Sequence, residues 1–282
     1  MRQRSMGNNH ARVAMSSVFV APIAAKSADY MKVGRISPFT INWRVIIGIS
    51  LALGILLLYF LLSPTGNIME FPAEGYLEFS VELEGEANRI YYRRATPENG
   101  GRFTVLLLHG QAFSSQTWDD LGTLKFLRAK NYNVVALDLP GYVKSKDYAN
   151  IPKTSEERAR FLNEVIEKLH IERPVIVSPS MSGSYSLPFI FQGEKGRNLR
   201  GYVPVAPVGT EKYTKDDYEN LELPTLIVYG ENDETLGLSS LQRLNNIRGH
   251  IIHVIKDAGH ACYLKNSDEF HDNVEKFLSK LN

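Results

Sequence analysis

The strongest constraint on the fold is an alternation of short apolar runs and amphipathic segments from about residue 75 onward. The runs resemble strands buried on both faces of a sheet, as parallel strands are. Predicted strands are 77–83 and 90–94, which form a hairpin, and 103–108, 133–137, 175 onward, 201–205, 225–229 and 250–255. Predicted helices are 118–130, 154–170, 181–191, 215–220, 236–244 and 268–281. This order predicts an α/β domain with a mostly parallel, doubly wound sheet.

One predicted strand leads into a serine-rich turn that reads VIVSPSMSG and begins at Val175. An apolar strand that turns sharply into a helix at a serine is the pattern of a nucleophile elbow, whose usual form is G-x-S-x-G. Centred on Ser180, the elbow here reads S-x-S-x-S. Ser178 and Ser182 are the next smallest polar replacements for glycine, and the flanks of the turn must be small. The motif alone is also compatible with an ordinary loop.

Polar residues follow the ends of other predicted strands. His109, Gly110 and Gln111 come after the strand 103–108, Asp233 follows 225–229, and His260 follows 250–255. Ligands of such sheets bind beyond the carboxyl ends of the strands. In chain order the candidates read Ser, Asp, His, which is the order of α/β-hydrolases. The pattern therefore favours a hydrolase site over an ordinary loop.

The chemistry of acyl transfer gives each candidate a role. Ser180 is the predicted nucleophile and His260 the base that takes its proton, because imidazole titrates near neutral pH. Asp233 would accept a hydrogen bond from the other ring nitrogen of His260 and fix its tautomer. The backbone N–H groups of Gln111 and Met181 are the predicted oxyanion hole, and losing such a donor costs roughly 10² to 10³ in rate.

Four residues offer alternatives at this site. Ser182 could be the nucleophile, although no apolar strand ends two residues before it, and Glu231 could replace Asp233. Cys262 lies two residues after His260, but a lone cysteine beside an aromatic residue is more often a small buried hydrophobe. His109 lies in a histidine–glycine turn, where we expect structural hydrogen bonding.

An uncharged apolar run covers residues 45–62. At 1.5 Å per residue it nearly crosses a hydrocarbon core of about 30 Å, and it is longer than the apolar region of a signal peptide. Seven basic residues precede it against Asp29 alone. The positive-inside rule then predicts a single-pass type II anchor with a cytoplasmic N-terminus and a luminal or extracellular catalytic domain. Mitochondrial import of this basic, acid-poor N-terminus is a minor alternative.

The composition sets the remaining boundaries. Residues 1–44 are expected to be a largely disordered basic tail, 63–73 a linker, and 74–282 the catalytic domain. A formal net charge of +1 predicts no general attraction to nucleic acid. The single cysteine excludes an internal disulfide, and no cysteine cluster has metal-ligand spacing, so we expect neither a metal nor a bound cofactor.

Six segments together carry a family resemblance: LLLHGQAFSSQTW, ALDLPGY, SPSMSGSYSLPF, VPVAPV, LIVYGENDE and AGHACYL. From about Gly75 to the C-terminus, the chain resembles the α/β-hydrolase domain-containing protein 14 subfamily. The S-x-S-x-S elbow is typical of that subfamily. The basic N-terminus and apolar run are similar to its membrane-bound A type. The resemblance implies a serine hydrolase with a triad matched by Ser180, Asp233 and His260. The soluble B type is associated with small acyl esters, lysine deacetylation and acetyl transfer to coenzyme A.

The segment between the strands 201–205 and 225–229 has fewer than twenty residues. Many α/β-hydrolases carry a large cap there, and this segment is too short for several helices. We therefore predict an open site for a small acyl group, free or on a larger carrier. The alternatives are an acyltransferase with coenzyme A as acceptor and a non-catalytic binding or scaffold protein.

Overall fold

The computed structural model describes residues 74–78, 89–192 and 196–281. The chain divides into two units, Met1–Asn67 and Ile68–Asn282, and every described residue lies in the second. The predicted tail 1–44, apolar run 45–62 and linker 63–73 therefore lie outside the described residues. Within the described ranges, no helix combines the length and the apolarity needed to cross a bilayer.

In the described ranges, eight strands form one sheet in the order β1-β2-β4-β3-β5-β6-β7-β8. The strands are β1 Glu74–Glu78, β2 Arg89–Ala95, β3 Thr104–Leu107, β4 Asn133–Leu137, β5 Val175–Pro179, β6 Gly201–Val205, β7 Leu226–Gly230 and β8 Ile251–Ile255. β1 and β2 form the expected antiparallel hairpin, and β2 also pairs antiparallel with β4. The remaining pairs are parallel. The mostly parallel sheet is confirmed, although β1 begins three residues before the prediction.

The helices are α1 Ser115–Asp120, α2 Thr123–Ala129, α3 Ser155–Lys168, α4 Gly183–Gln192, α5 Lys215–Glu219, α6 Leu236–Leu244, α7 Cys262–Lys265 and α8 Ser267–Leu278. The prediction of one helix over 118–130 is wrong. Gly122 has a φ of 71°, which helical geometry does not allow, and it separates α1 from α2. A capping box formed by Thr154 and Glu157 begins α3, close to the predicted start of the helix 154–170.

Two apolar layers cover the two faces of the sheet. Alternate residues along β3 serve opposite layers: Leu106 packs with helices α3 and α4, whereas Val105 and Leu107 pack with α1, α2 and α8. Such alternation follows from the period of two in a strand. Because both faces are covered, the ligand-accessible region lies at the ends of the strands.

The strand β8 differs from its prediction. The run 250–255 is apolar enough to predict a buried strand, but among the described strands β8 is the last in the sheet order and pairs with β7 alone. Ile251 and Ile252 are about 40% exposed, and only Ile255 is fully buried. Hydropathy alone does not reveal which apolar strand lies at the end of the sheet.

The connection that follows β6, described along its whole length, contains no large cap. The connection between β6 and β7 holds only a 3-10 turn, Thr210–Lys212, and the five-residue helix α5. This agrees with the short sequence between the predicted strands 201–205 and 225–229. This connection therefore adds no separate helical cap over the carboxyl ends of β5 and β8.

Candidate active site

The elbow after β5 has the strained backbone of its motif. Ser180 has a φ of 49°, a region that non-glycine residues rarely occupy. The 3-10 turn Ser180–Ser182 connects the strand to α4. A Cβ on Gly183, the first residue of α4, would lie 2.5 Å from the Val208 carbonyl oxygen, so the helix passes too close to the next loop for a larger residue.

Three side chains form a continuous hydrogen-bonded chain. His260 Nε2 lies 2.7 Å from Ser180 Oγ, and His260 Nδ1 lies 2.6 Å from Asp233 Oδ2. Because a carboxylate only accepts hydrogen bonds, Nδ1 carries the proton and Nε2 is free to accept from Ser180. The structure thus brings together the three residues that the sequence predicted, in the order that proton transfer from a serine requires.

Asp233 is held from several sides. Its side chain is only 2% exposed, and Thr235 Oγ1 donates a 3.3 Å bond to the carboxylate oxygen that His260 does not use. Gly237 in α6 lies against it, because a Cβ there would be 2.9 Å from the Asp233 Cβ. This packing directs one carboxylate oxygen at His260. The sequence did not single out Thr235 or Gly237.

His109 lies beneath the turn that follows β3. Its Nε2 accepts a hydrogen bond of 2.9 Å from the Leu139 N–H, so its Nδ1 donates to the Gly110 carbonyl at 2.8 Å. Burial lowers the pKa of His109, against the opposing effects of the Gly110 bond and Asp138. The side chain is neutral and connects two loops, as expected for a structural role.

The alternatives at the site are placed elsewhere. Ser182 is fully buried and donates to the Pro179 carbonyl, so its oxygen does not face the cavity. Glu231 accepts from the Asp257 N–H instead of reaching His260. Burial raises the pKa of the Cys262 thiol to about 12, which keeps it protonated near neutral pH. The geometry therefore favours Ser180 and Asp233.

A cavity of about 210 Å³ opens beside Ser180 and His260. Its walls are mainly apolar, and apart from the imidazole of His260 they contain no acidic or basic side chain; the lining residues are Gly110, Gln111, Ala112, Phe113, Pro179, Ser180, Val205, His260, Ala261 and Tyr263. Phe113 and Tyr263 meet edge to face with ring centroids 6.1 Å apart. A volume this small is below that of sites for drug-sized ligands.

The two predicted oxyanion donors lie at different borders of the site. Gln111 lines the cavity in the turn that begins at Gly110, and that turn is closed by the hydrogen bond from the Phe113 N–H to the Gly110 carbonyl. A Cβ on Gly110 would be 3.6 Å from the Ser180 Cβ, which places this turn directly against the nucleophile candidate. The side chain of Met181 packs against an apolar layer, while its N–H belongs to the peptide that follows Ser180.

Phe113 and Tyr263 shape the cavity, yet nothing in the sequence distinguished them from core aromatic residues. Phe113 lies two residues after Gln111, and Tyr263 lies three after His260. Their proximity to motif residues was the available signal. In the part of the chain that the structure describes, no group of three or more histidine, cysteine, aspartate or glutamate side chains could hold a metal ion.

The relatives found by comparison with known proteins include ABHD14A and ABHD14B proteins. No protein-family model matches the chain. Protein ABHD14A from Mus musculus is 43% identical over 195 residues, which cover 69% of this chain and 78% of the relative. The putative protein-lysine deacylase ABHD14B from Rattus norvegicus is 45% identical over 208 residues, 72% of this chain and 96% of the relative.

Solved structures share the fold at low sequence identity. A CIB-like hydrolase from Thermoplasma acidophilum matches with a TM-score of 0.61 at 24% identity, covering 73% of this chain and 96% of the other. The carboxylesterase CesB from Bacillus subtilis matches with a TM-score of 0.60 at 16% identity, covering 73% and 91%. These matches establish the α/β-hydrolase fold.

Proposed function

Because the chain belongs to the ABHD14 family and has the α/β-hydrolase fold, we propose that it is a membrane-anchored serine hydrolase of small acyl substrates. The chain is a hydrolase by its relatives and fold. The observation that carries the finer proposal is the hydrogen-bonded chain from Ser180 through His260 to Asp233 at the edge of a small apolar cavity.

The geometry supports a two-step acyl transfer. Ser180 Oγ attacks the acyl carbonyl while its proton moves to His260 Nε2, and Asp233 stabilises the resulting imidazolium. His260 then returns the proton to the leaving alcohol, thiol or amine as its bond to the acyl carbon breaks. A water molecule then attacks the acyl carbon while His260 takes its proton. The bond between that carbon and Ser180 Oγ breaks, and His260 gives the proton to Oγ as the acid leaves. The N–H groups of Gln111 and Met181 would stabilise the negative oxygen in both steps.

The cavity supports a short and uncharged acyl group. It has apolar walls and offers no cation to an acyl carboxylate, so burying a charged acyl end there would be costly. Acetyl and other short acyl groups fit its volume, whereas a long lipid chain does not. A lysine side chain is one acyl carrier to test, because one relative is named a putative protein-lysine deacylase.

Covalent labelling tests the nucleophile. A fluorophosphonate probe should label the wild-type protein and leave Ser180→Ala unlabelled, because the probe forms its bond with an activated serine oxygen. Ser239→Ala, at an exposed helical serine, is the matched control and should label normally. Retained labelling of Ser180→Ala would refute the assignment, and a folded wild-type protein that never labels would favour a non-catalytic role.

A series of esters with one leaving group tests the acyl preference. We expect acetyl and butyryl esters to be hydrolysed at least about tenfold faster than succinyl or decanoyl esters, measured as kcat/KM. The reverse order would contradict the proposal. Adding coenzyme A to the acetyl reaction separates hydrolysis from transfer, because formation of acetyl-coenzyme A would indicate that a thiol competes with water as acceptor.

The membrane proposal rests on the uncharged run 45–62 and the basic residues before it. We propose a type II anchor with the catalytic domain in the secretory lumen or outside the cell. Protease added to sealed microsomes should then leave the domain intact until detergent is added. Digestion from the cytosolic side would contradict this topology, and recovery in purified mitochondria would favour the mitochondrial alternative.

A further inference from the structure

The serines of the elbow belong to a buried chain of hydroxyl groups behind the nucleophile. Ser178 Oγ lies 3.1 Å from Ser182 Oγ and 2.7 Å from Ser186 Oγ, and Ser186 Oγ lies 2.9 Å from the Tyr202 hydroxyl. Ser182 Oγ donates a 2.8 Å bond to the Pro179 carbonyl. All four hydroxyl-bearing side chains are fully buried.

The number of protons on these hydroxyl groups fixes the direction of every hydrogen bond in the series. Each hydroxyl has a single proton, and that of Ser182 is used on the Pro179 carbonyl. Ser182 must therefore accept from Ser178, whose proton is then used as well. For the same reason Ser178 accepts from Ser186.

Tyr202 begins the chain by donating to Ser186. Burial raises the pKa of Tyr202, so the phenol keeps the proton that it donates. Every proton in the series points toward the Pro179 carbonyl, and hydrogen bonds aligned in this way polarise one another.

The chain ends at the peptide that sets the position of the nucleophile. The Pro179 carbonyl belongs to the peptide bond whose nitrogen is that of Ser180, the residue with the strained φ of 49°. The next peptide is held as well, because the Val208 N–H donates a 2.9 Å bond to the Ser180 carbonyl. That peptide carries the Met181 N–H. Hydrogen bonds therefore hold both peptides that flank Ser180.

We propose that Ser178, Ser182, Ser186 and Tyr202 are positioning residues that orient the Pro179–Ser180 peptide and so aim Ser180 Oγ at His260. In this view the S-x-S-x-S elbow is more than a tolerated replacement for glycine. Its flanking serines supply a directed hydrogen-bond chain that glycine cannot make. The inference rests on the proposed serine hydrolase function, and displacing a reacting atom by about 1 Å can cost about 10²-fold in rate.

Kinetics of three variants test the role. Ser182→Ala removes the last donor, and we expect kcat for an acetyl ester and the labelling rate constant to fall about tenfold or more with KM changed less than about twofold. Ser178→Gly/Ser182→Gly restores small glycine flanks without hydroxyls and should lose activity similarly. Tyr202→Phe keeps the ring and the three serine bonds, so its loss should be smaller.

Thr225→Val is the matched control for lost stability. Thr225 is buried and donates to the Leu223 carbonyl at 2.8 Å, just before β7 and at the opposite end of that strand from Asp233. Thr225→Val should lower the unfolding temperature about as much as Ser182→Ala does and leave kcat unchanged. All rates are measured well below the unfolding transitions.

A wild-type kcat in Ser178→Gly/Ser182→Gly would overturn the inference, because small flanking residues without hydroxyl groups would then be enough to position Ser180. Equal labelling rates for wild type and folded Ser182→Ala would overturn it too. A wild-type protein that does not label at all would instead defeat the proposed function.

Discussion

The serine and the histidine of the site are held by different parts of the sheet. Ser180 follows β5, which lies between β3 and β6 and is buried along its whole length. His260 follows β8 at the end of the strand order, and its side chain is 41% exposed. The nucleophile is thus fixed by close packing and a buried hydroxyl chain, whereas the base depends mainly on its bond to Asp233.

This difference separates two kinds of sensitivity. Around the elbow, one added carbon atom meets backbone and side-chain atoms on the neighbouring loop, so substitutions should affect stability and activity together. A Cβ at Gly259, directly before His260, would meet nothing within 4 Å, and substitutions that change only the hydrogen bonds of His260 should affect activity with little effect on folding. Three predictions test this comparison.

The largest effect is expected at the carboxylate that holds the base. Asp233→Asn keeps the shape of the side chain but lets an amide donate to His260 Nδ1, which favours the tautomer that cannot accept the Ser180 proton. We expect kcat to fall by about 10⁴-fold with an almost unchanged unfolding temperature. Thr235→Val, which removes only the 3.3 Å bond to the other oxygen, should cost less than about tenfold. Similar losses in both variants would contradict the assignment of the orienting role to Asp233.

A pair of glycines gives the next largest contrast. A Cβ at Gly183 would lie 2.5 Å from the Val208 oxygen and 2.6 Å from the Pro207 Cβ, whereas a Cβ at Gly259 would meet nothing within 4 Å. Gly183→Ala should therefore destabilise the domain by about 1–3 kcal/mol and slow labelling, as overpacking does. Gly259→Ala, directly before His260, should change the free energy of unfolding little. Urea unfolding measures both, and equal losses would remove the distinction between the two regions.

The smallest effect concerns pH. Burial lowers the pKa of His109 beside the elbow and of His271 on α8, so each binds a proton more readily in the unfolded chain. Their contribution to stability is complete above the unfolded pKa of about 6.5 and is lost as the pH falls from there toward the folded pKa. The free energy of unfolding should therefore decrease between pH 7.5 and pH 5.5.

His271→Gln separates the two histidines in that measurement. His271 Nε2 lies 2.8 Å from Thr123 Oγ1, far along the sequence from the elbow. The variant should keep part of the pH dependence, because His109 remains. A wild-type protein equally stable at both pH values would show that neither buried histidine contributes as described.

Most strands and the candidate site could be predicted because their determinants are local in sequence. The strands β4 and β6 match their predicted bounds. A buried strand is recognisable in the sequence because it is an apolar run with polar residues at its ends. Ser180, Asp233 and His260 follow predicted strands, and parallel strands gather such ends at one edge of a sheet. The break at Gly122 and the edge position of β8 were missed. They depend on turn conformation and strand order, which an apolar pattern does not contain.

The sequence by itself determined the fold class, the order of the three candidate residues and the small flanks of the elbow, because burial and turn geometry restrict residue type at each position. Only the tertiary structure decided that Ser178, Ser182, Ser186 and Tyr202 share one line of hydrogen bonds toward Pro179. The serines repeat every fourth residue, but Tyr202 comes from the next strand. Its contact with Ser186 exists because β6 packs beside β5, and packing between neighbouring strands is a property of the folded chain.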